Sequence, residues 1–519
     1  MPDTKHTIHR KTVSQRVGLW TGVILSLSVL LFFDFTPANP QTTRMAAVAL
    51  LMAIWWITDA IPLYATALLP MLLYPLLGIM KGNDVAPVYI NSTIFLFIGG
   101  FILALTMQKW NLHRRIALYI IRLIGGGPDR IILGFMAAAA FLSMWISNTA
   151  TAIMMVPIAL AIIIQMEEEF SKQEVHHFTV SLMLGIAYAC SLGGIATLVG
   201  TPPNLVFARI FSILFPDATA ISFGSWFMMA VPLTLIMILV VWLLLTRLFF
   251  KVPAEIKVDR SVIESEYRGL GRMSFEEKIV LVFFTITAFL WVFRKDLVLG
   301  SLTIPGWSQL LPYPEMIDDG TVALFMSLLL FFIPARSEGA TSATVGGPGV
   351  IKRIPWNIVL LFGGGFALAS GFQQSGLASL IGNQFSGLVG ISPMAMIVSV
   401  CSGLTFLTEL TSNTATTNMI LPILASVATE LRINPLLILV PATLSASFAF
   451  MMPVATPPNA IIFGSGRVKI IEMARTGFFI NIIGIIVVST YFFFIGSYLL
   501  GIEAGQFPEW AKEVNAGIN

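Results

Sequence analysis

Charge is what this chain has least of. Only 11% of its 519 residues are Asp, Glu, Lys or Arg, against 56% hydrophobic, and the mean hydropathy is +0.86. A soluble domain carries about 25% charged residues, so this composition excludes one and implies an integral membrane protein. Cysteine is almost absent. Cys190 and Cys401 stand in apolar surroundings; two thiols make neither a disulfide framework nor a metal cluster, and both are expected to be buried and inert. The five histidines, His6, His9, His113, His176 and His177, fall in or near segments that read as cytoplasmic loops, and no Lys accompanies either of the two Ser-Asn-Thr motifs. An intramembrane hydrolase, which needs a base beside its nucleophile, is therefore disfavoured. No GxxxxGK[ST] loop and no large soluble catalytic domain is present, which speaks against a primary pump. The chain does not read as an enzyme. Its net charge of +3 says little about partners, because the basic residues mostly serve topology, and no nucleic acid is expected among them.

What is there is a series of apolar runs near the ~20 residues that cross a bilayer. They predict eleven crossings, near 17–35, 45–59, 62–79, 93–109, 179–214, 225–247, 279–294, 320–334, 357–373, 435–464 and 475–500. The first run follows a basic leader (Lys5, Arg10, Lys11, Arg16) without a small-residue cleavage site, so a retained helix with a cytoplasmic N-terminus is expected. The positive-inside rule agrees: Lys251, Lys257, Arg260, Arg268 and Arg272 in one loop, and Arg336, Lys352 and Arg353 in another, fall on the cytoplasmic side. The C-terminal tail then lies outside. The stretch 251–278 and "SEGATSATVGGPGV" read as solvated connections with little fold of their own.

Two apolar segments do not read as crossings. The first, 128–165, is interrupted by Ser147, Asn148 and Thr149, and the second, 393–428, by Ser412, Asn413 and Thr414. Each has arms of about 16 residues, near 24 Å at 1.5 Å per residue, which predicts two re-entrant hairpins with polar tips at membrane depth. Irregular backbone is tolerated there only inside protein or on a wet cavity. The segments are copies. "FLFIGGFILALTMQKWNL" at 95–112 resembles "LLFGGGFALASGFQQSGL" at 360–377, and the pairs Phe101/Phe366, Ser147/Ser412 and Pro157/Pro422 share one offset of 265 residues; "GTPPN" at 200–204 and "ATPPN" at 455–459 follow in the same order. Five crossings per repeat is an odd number, so the second copy is expected to be inverted. The charges agree, since "KWNLHRRIALYIIRL" is basic and its counterpart carries no charge.

The chemistry follows from the breaks. Proline interrupts a helix ladder, half-helix N-termini bind anions, and unwound carbonyls offer oxygen to a hard cation, as in transporters that bind an anion and Na⁺ together. Asn148, Thr149, Asn413 and Thr414 supply neutral donors, one motif for each carboxylate of a small dianion. The Ser of each motif also reads as a helix N-cap. Glu409, whose repeat counterpart is Met144, reads either as a structural carboxylate or as a proton-coupling group. Asp59 reads as an N-cap ahead of Pro62.

The paired SNT and TPPN motifs, with "WWITDAIP" at 55–62 and the glycine-rich "FIGGF" and "FGGGF", resemble the divalent anion:sodium symporter family, which includes bacterial dicarboxylate transporters and animal citrate and dicarboxylate carriers. The resemblance implies an all-α polytopic homodimer that moves its transport domain elevator-fashion against a static scaffold, in a bacterial inner membrane. It implies Na⁺ as coupling ion, at one site on Ser143, Ser147, Asn148 and Gly200 and another on Thr408, Thr411, Asn413 and Ala455. Substrate would meet Asn148, Thr149, Thr201, Asn413, Thr414 and Thr456; Thr201 stands where some members carry Ser. The expected layout is a leader and first helix (1–44), repeat 1 (45–250), a cytoplasmic linker (251–278), repeat 2 (279–502) and a tail (503–519). Symport of C4 dicarboxylates is the favoured reading, with 2-oxoglutarate exchange, citrate transport, proton coupling or an anion channel as alternatives.

Overall fold

The computed structural model describes residues 11–252, 261–299, 302–337, 342–388, 390–503 and 505–512. Apart from one short β-hairpin, β1 (Leu297–Leu299) with β2 (Leu302–Ile304), the described chain is helical. Among the described residues, seven helical segments are long and apolar enough to cross a membrane; several others are shorter apolar pieces of 10–17 residues.

A peripheral helix α1 (Val13–Phe32) packs on α2 (Pro40–Thr58) and leaves Trp20, Ile24, Leu31 and Phe32 exposed, as lipid-facing residues would be. The short helices α3 (Leu63–Thr66), α4 (Leu69–Leu76) and α5 (Gly82–Tyr89) lead into α6 (Ser92–Lys109), whose first turn is capped by the Asn91 side chain. Then come the amphipathic α7 (Leu112–Ile124), α8 (Pro128–Ser143), α9 (Asn148–Glu169) and α10 (Lys172–Gly194), which is buried at every position from Phe178 to Gly194. The expected crossing at 179–214 is two helices, since the backbone unwinds after α10 and resumes as α11 (Pro202–Leu214). The two prolines stand at its first positions, where a missing N–H costs nothing. Helix α12 (Phe223–Leu243) closes the first half.

The second half repeats the plan. After α13 (Ser261–Gly269), α14 (Phe275–Val292), α15 (Asp319–Leu329) and α16 (Pro348–Lys352) come α17 (Trp356–Gln374), α18 (Leu377–Asn383), α19 (Pro393–Thr408) and α20 (Asn413–Glu430), then α21 (Leu436–Ser445), a break, α22 (Pro457–Gly464), α23 (Ile470–Tyr491) and a last turn α24 (Ser497–Leu499). Leu112, Pro128 and Asn148 open α7, α8 and α9, and the residues 265 positions on, Leu377, Pro393 and Asn413, open α18, α19 and α20. The duplication is thus present in the backbone as well as in the letters.

The halves interlock reciprocally. Helix α6 packs on α15 while α17 packs on α3 and α5; α11 packs on α20 while α22 packs on α9. A Cβ at Gly99 would collide with Ala323, and one at Gly364, its equivalent, with Ala67, so the same small residue permits both close crossings. Phe97 and Phe362, also equivalents, meet edge to face at 4.9 Å. With α11 on α20 answered by α22 on α9, this self-contact is what a two-fold relation between the copies produces.

Three sequence expectations change here. Asp59 is the left-handed C-cap of α2 (φ 48°, ψ 40°), not an N-cap, because the Trp55 carbonyl takes its N–H and the chain turns before Pro62. The stretch 251–278 holds α13, docked on α7 through the ion pairs Arg114–Glu266 and Arg122–Glu264, the latter at 3.0 Å. Residues 342–346 are also tied down. Lys109 Nζ donates to Ser342 Oγ and to the Val345 and Gly346 carbonyls, and Trp110 Nε1 donates to Val345 O at 2.9 Å. Helix-end donors, absent from any composition argument, decide both segments. Cys190 and Cys401 are free and buried, as expected.

Candidate functional site

Both SNT motifs and both TPPN motifs line a single cavity of about 620 Å³. Its wall carries Ser147, Asn148, Thr149, Gly200 and Thr201 from repeat 1, and Thr411, Ser412, Asn413, Thr414, Ala455 and Thr456 from repeat 2. Ser143 and Thr408 do not reach the cavity. They are fully buried behind it. Ser143 Oγ donates to Asn148 Oδ1 at 2.5 Å and Thr408 Oγ1 to Asn413 Oδ1 at 2.6 Å.

That pair of contacts orients the asparagines. Each amide oxygen turns inward to a hydroxyl, and each Nδ2 has no protein partner among the described residues. The hydroxyls of Thr149, Thr201 and Thr414 likewise have none. Four helices, α9, α11, α20 and α22, begin on the cavity wall with their N-termini toward it, so four partial positive ends converge. They are not alike. Pro202 and Pro203 open α11, and Pro457 and Pro458 open α22; these residues have no N–H to give. The free backbone donors therefore come from α9 and α20, whose first turns have no intrahelical acceptor. Ser147 caps α9 by accepting from Ala150 N at 3.3 Å, while Ser412 makes no such bond on α20. Among the described residues no Lys or Arg lines the cavity, and Asp59, on the same wall as Trp56, Tyr64 and Asn357, is the one charged lining residue.

Behind the donors lie oxygens. A Cβ at Gly200 would stand 2.5 Å from the Gly194 carbonyl oxygen and 3.0 Å from those of Ser143 and Met144. Three carbonyls thus face one small space beside Asn148, the donor set a hard cation takes. The unwound stretches are held by the last residue of each TPPN. Asn204 Nδ2 donates to the carbonyls of Gly194, Ile195 and Thr197 at 2.7–3.3 Å, and Asn459 Nδ2 to those of Ala449 and Met452 at 3.0 and 3.1 Å. Both asparagines are fully buried. The motif was legible in the sequence, but this bracing role was not. Phe97, Phe101 and Leu361, which help shape the apolar wall, belong to the repeated glycine-rich segments, whereas Leu410 and Val454 on the same wall gave no sequence signal. Thr411 is on the wall, but its hydroxyl is engaged with Leu407 O at 2.9 Å and Thr416 at 2.6 Å.

Residues 17–502 match the family model described as "Sodium:sulfate symporter transmembrane region". The chain belongs to the divalent anion:sodium symporter family. Curated relatives of this family member include the sodium-dependent dicarboxylate transporter SdcS of Staphylococcus saprophyticus, 40% identical over 499 residues (95% of this chain, 94% of the relative), and that of Staphylococcus aureus strain MRSA252, 40% identical over 500 residues with the same coverage. Among solved structures, MtrF of Neisseria gonorrhoeae is similar in fold, with a TM-score of 0.55 at 13% identity over 93% of this chain and 100% of MtrF; YdaH of Alcanivorax borkumensis has a TM-score of 0.54 at 13% identity, over 89% and 98%. The relatives are named as transporters, which agrees with the reading as a non-enzyme integral membrane protein.

Proposed function

We propose that this protein is a secondary active transporter of C4-type dicarboxylates, of the succinate, malate and fumarate class, coupled to Na⁺ in symport. One observation carries the reading: two equivalent asparagines present free amide donors to one cavity that holds converging helix N-termini and no basic residue. The names of the curated relatives, sodium-dependent dicarboxylate transporters, support it.

In this reading Asn148 and Thr149 hold one carboxylate and Asn413 and Thr414 the other, with the Thr201 and Thr456 hydroxyls beside them. Na⁺ is cargo, held by Ser143, Ser147, Asn148 and Gly200 in repeat 1 and by Thr408, Thr411, Asn413 and Ala455 in repeat 2, with backbone carbonyls completing the shells. Neutral donors alone are a weak trap for a dianion in a low-dielectric interior, and a nearby cation offsets that cost. Occupancy of one ligand thereby raises affinity for the other, as symport requires. The repeats would be inverted, with eleven crossings and two re-entrant hairpins. The helices around α8–α12 and α19–α23 would move as one body against a scaffold of the remaining helices, in a homodimer in a bacterial inner membrane, N-terminus inside and C-terminus outside. The division into 1–44, 45–250, 251–278, 279–502 and 503–519 belongs to the same reading.

The test is uptake of radiolabelled succinate by proteoliposomes with and without an inward Na⁺ gradient. Uptake driven by the gradient and an apparent KM that falls as Na⁺ rises are the expected results. Uptake that ignores Na⁺ and requires internal dicarboxylate would establish exchange instead.

A further inference from the structure

The two repeats brace their breaks by different means. In repeat 1 the contact is neutral, with Thr197 Oγ1 donating to the Met144 carbonyl oxygen at 2.5 Å. In repeat 2 the counterpart of Met144 is Glu409. Its carboxylate receives three consecutive backbone N–H groups from the break, those of Phe450 at 2.7 Å and Met451 at 2.8 Å on Oε1 and Met452 at 3.0 Å on Oε2. The Asn481 amide adds a fourth donor to Oε1 at 2.8 Å. Glu409 is 3% exposed and Asn481 wholly buried. Only donors face the carboxylate, which is the environment of an ionised acid. Among the described residues no Lys, Arg or His pairs with it.

Hydrogen bonds stabilise that charge without cancelling it, and a buried charge without a counter-ion is costly. The Glu409 hydrogen bonds among the described residues are all to repeat 2. The hydroxyl of Thr408, the preceding residue, has both Asn413 Oδ1 and Ala446 O, the latter at 2.8 Å, within reach of its one proton. Asn459 holds the Ala449 and Met452 carbonyls on either side of the N–H groups that Glu409 accepts. The equivalent cradle in repeat 1, with Met144 in this place, has no such charge. It has Gly200 where repeat 2 has Ala455.

We propose that Glu409 makes the two cation cradles unequal: the repeat 2 cradle takes Na⁺ first and more tightly, and the repeat 1 cradle fills second. Glu409 is a positioning and electrostatic residue here, with its oxygens occupied by N–H groups, and the cation is its missing counter-charge. The inference rests on the reading that the breaks hold the coupling ions.

The experiment uses the full-length protein in lipid nanodiscs without dicarboxylate. Na⁺ is titrated against choline at constant ionic strength, and binding is followed by intrinsic tryptophan fluorescence and by calorimetry. The expected wild-type titration has two phases, with Thr408→Ala removing the tighter and Ser143→Ala the weaker. Glu409→Gln should move the tighter phase to about tenfold higher Na⁺ or more, since a full charge on the backbone of that break, in a weakly screening interior, is lost, and leave the weaker phase in place. Loss of the weaker phase in Thr408→Ala, or one wild-type phase that both hydroxyl variants shift equally, overturns the ranking; so does an unmoved titration in Glu409→Gln. The wild type and hydroxyl variants decide the order even if Glu409→Gln does not fold. No Na⁺ response over choline in the wild type would instead remove the coupling-ion reading on which the inference rests.

Discussion

At the residue scale, Asn148 and Asn413 divide one amide between two ligands. The oxygen is fixed by Ser143 or Thr408 on the cradle side, and the nitrogen is left for the cavity. Replacing either by Asp keeps the shape and puts an acceptor where a dianion needs a donor. Asn148→Asp and Asn413→Asp should each lower kcat/KM for succinate by about a hundredfold or more, the effect of losing a hydrogen bond to a charged group and adding repulsion; uptake within twofold of wild type in both would remove them from the substrate site. Gly200 is a second such position. A methyl there enters the space shared by the Gly194, Ser143 and Met144 carbonyls. Gly200→Ala should raise the Na⁺ concentration for half-maximal uptake on the order of tenfold, with little change in the succinate KM once Na⁺ saturates. An unchanged Na⁺ dependence would place the cation elsewhere.

The elements show how polar groups are spent outside the cavity. Helix α7 carries Arg114, Arg115 and Arg122, whose charge read as a topology signal; the fold uses it to dock the linker. Arg115 and Glu277 are buried partners at 3.0 Å, and Arg115 also donates to the carbonyls of Leu270 and Gly271. The exposed pairs of α7 with α13 contribute little each, but breaking the buried one leaves a carboxylate without its counter-ion. Arg115→Met should therefore destabilise the protein by about 3 kcal/mol or more, seen as a lower unfolding temperature in nanodiscs, and Arg115→Met with Glu277→Leu should recover part of it. A double variant no better than the single would show that the carbonyl contacts, not the charge pair, matter.

For the whole molecule, the reciprocal packing of α6 on α15 and of α17 on α3 and α5 sets two copies around Phe97 and Phe362. The four helix starts are thereby brought to one place that neither copy could build alone. Asp59 and Asn357 are exposed residues of the cavity wall, and in the orientation proposed above they would face the cytoplasm. Asn357→Cys should react with a charged thiol reagent from that side, and Na⁺ with succinate should slow the reaction several-fold. The native thiols will not interfere, because both are buried. Equal labelling from the outside would reverse the assigned orientation.

The class, the duplication and the motif residues were determined by the sequence itself, because they depend on local facts: apolar length, proline without an N–H, small polar residues where lipid-facing ones belong, and an offset of 265 residues that one-dimensional comparison reveals. Only the tertiary structure decided what those residues face. The docked α13 and the Glu409 cluster depend on contacts between distant parts of the chain, whereas the Asp59 cap and the inward turn of two amide oxygens depend on how the chain turns within four or five residues. Glu409 and Asn481 are 72 positions apart, and Tyr188 reaches the Phe450 carbonyl across 262. Such pairings follow from the folded path and leave no periodicity or spacing to read beforehand.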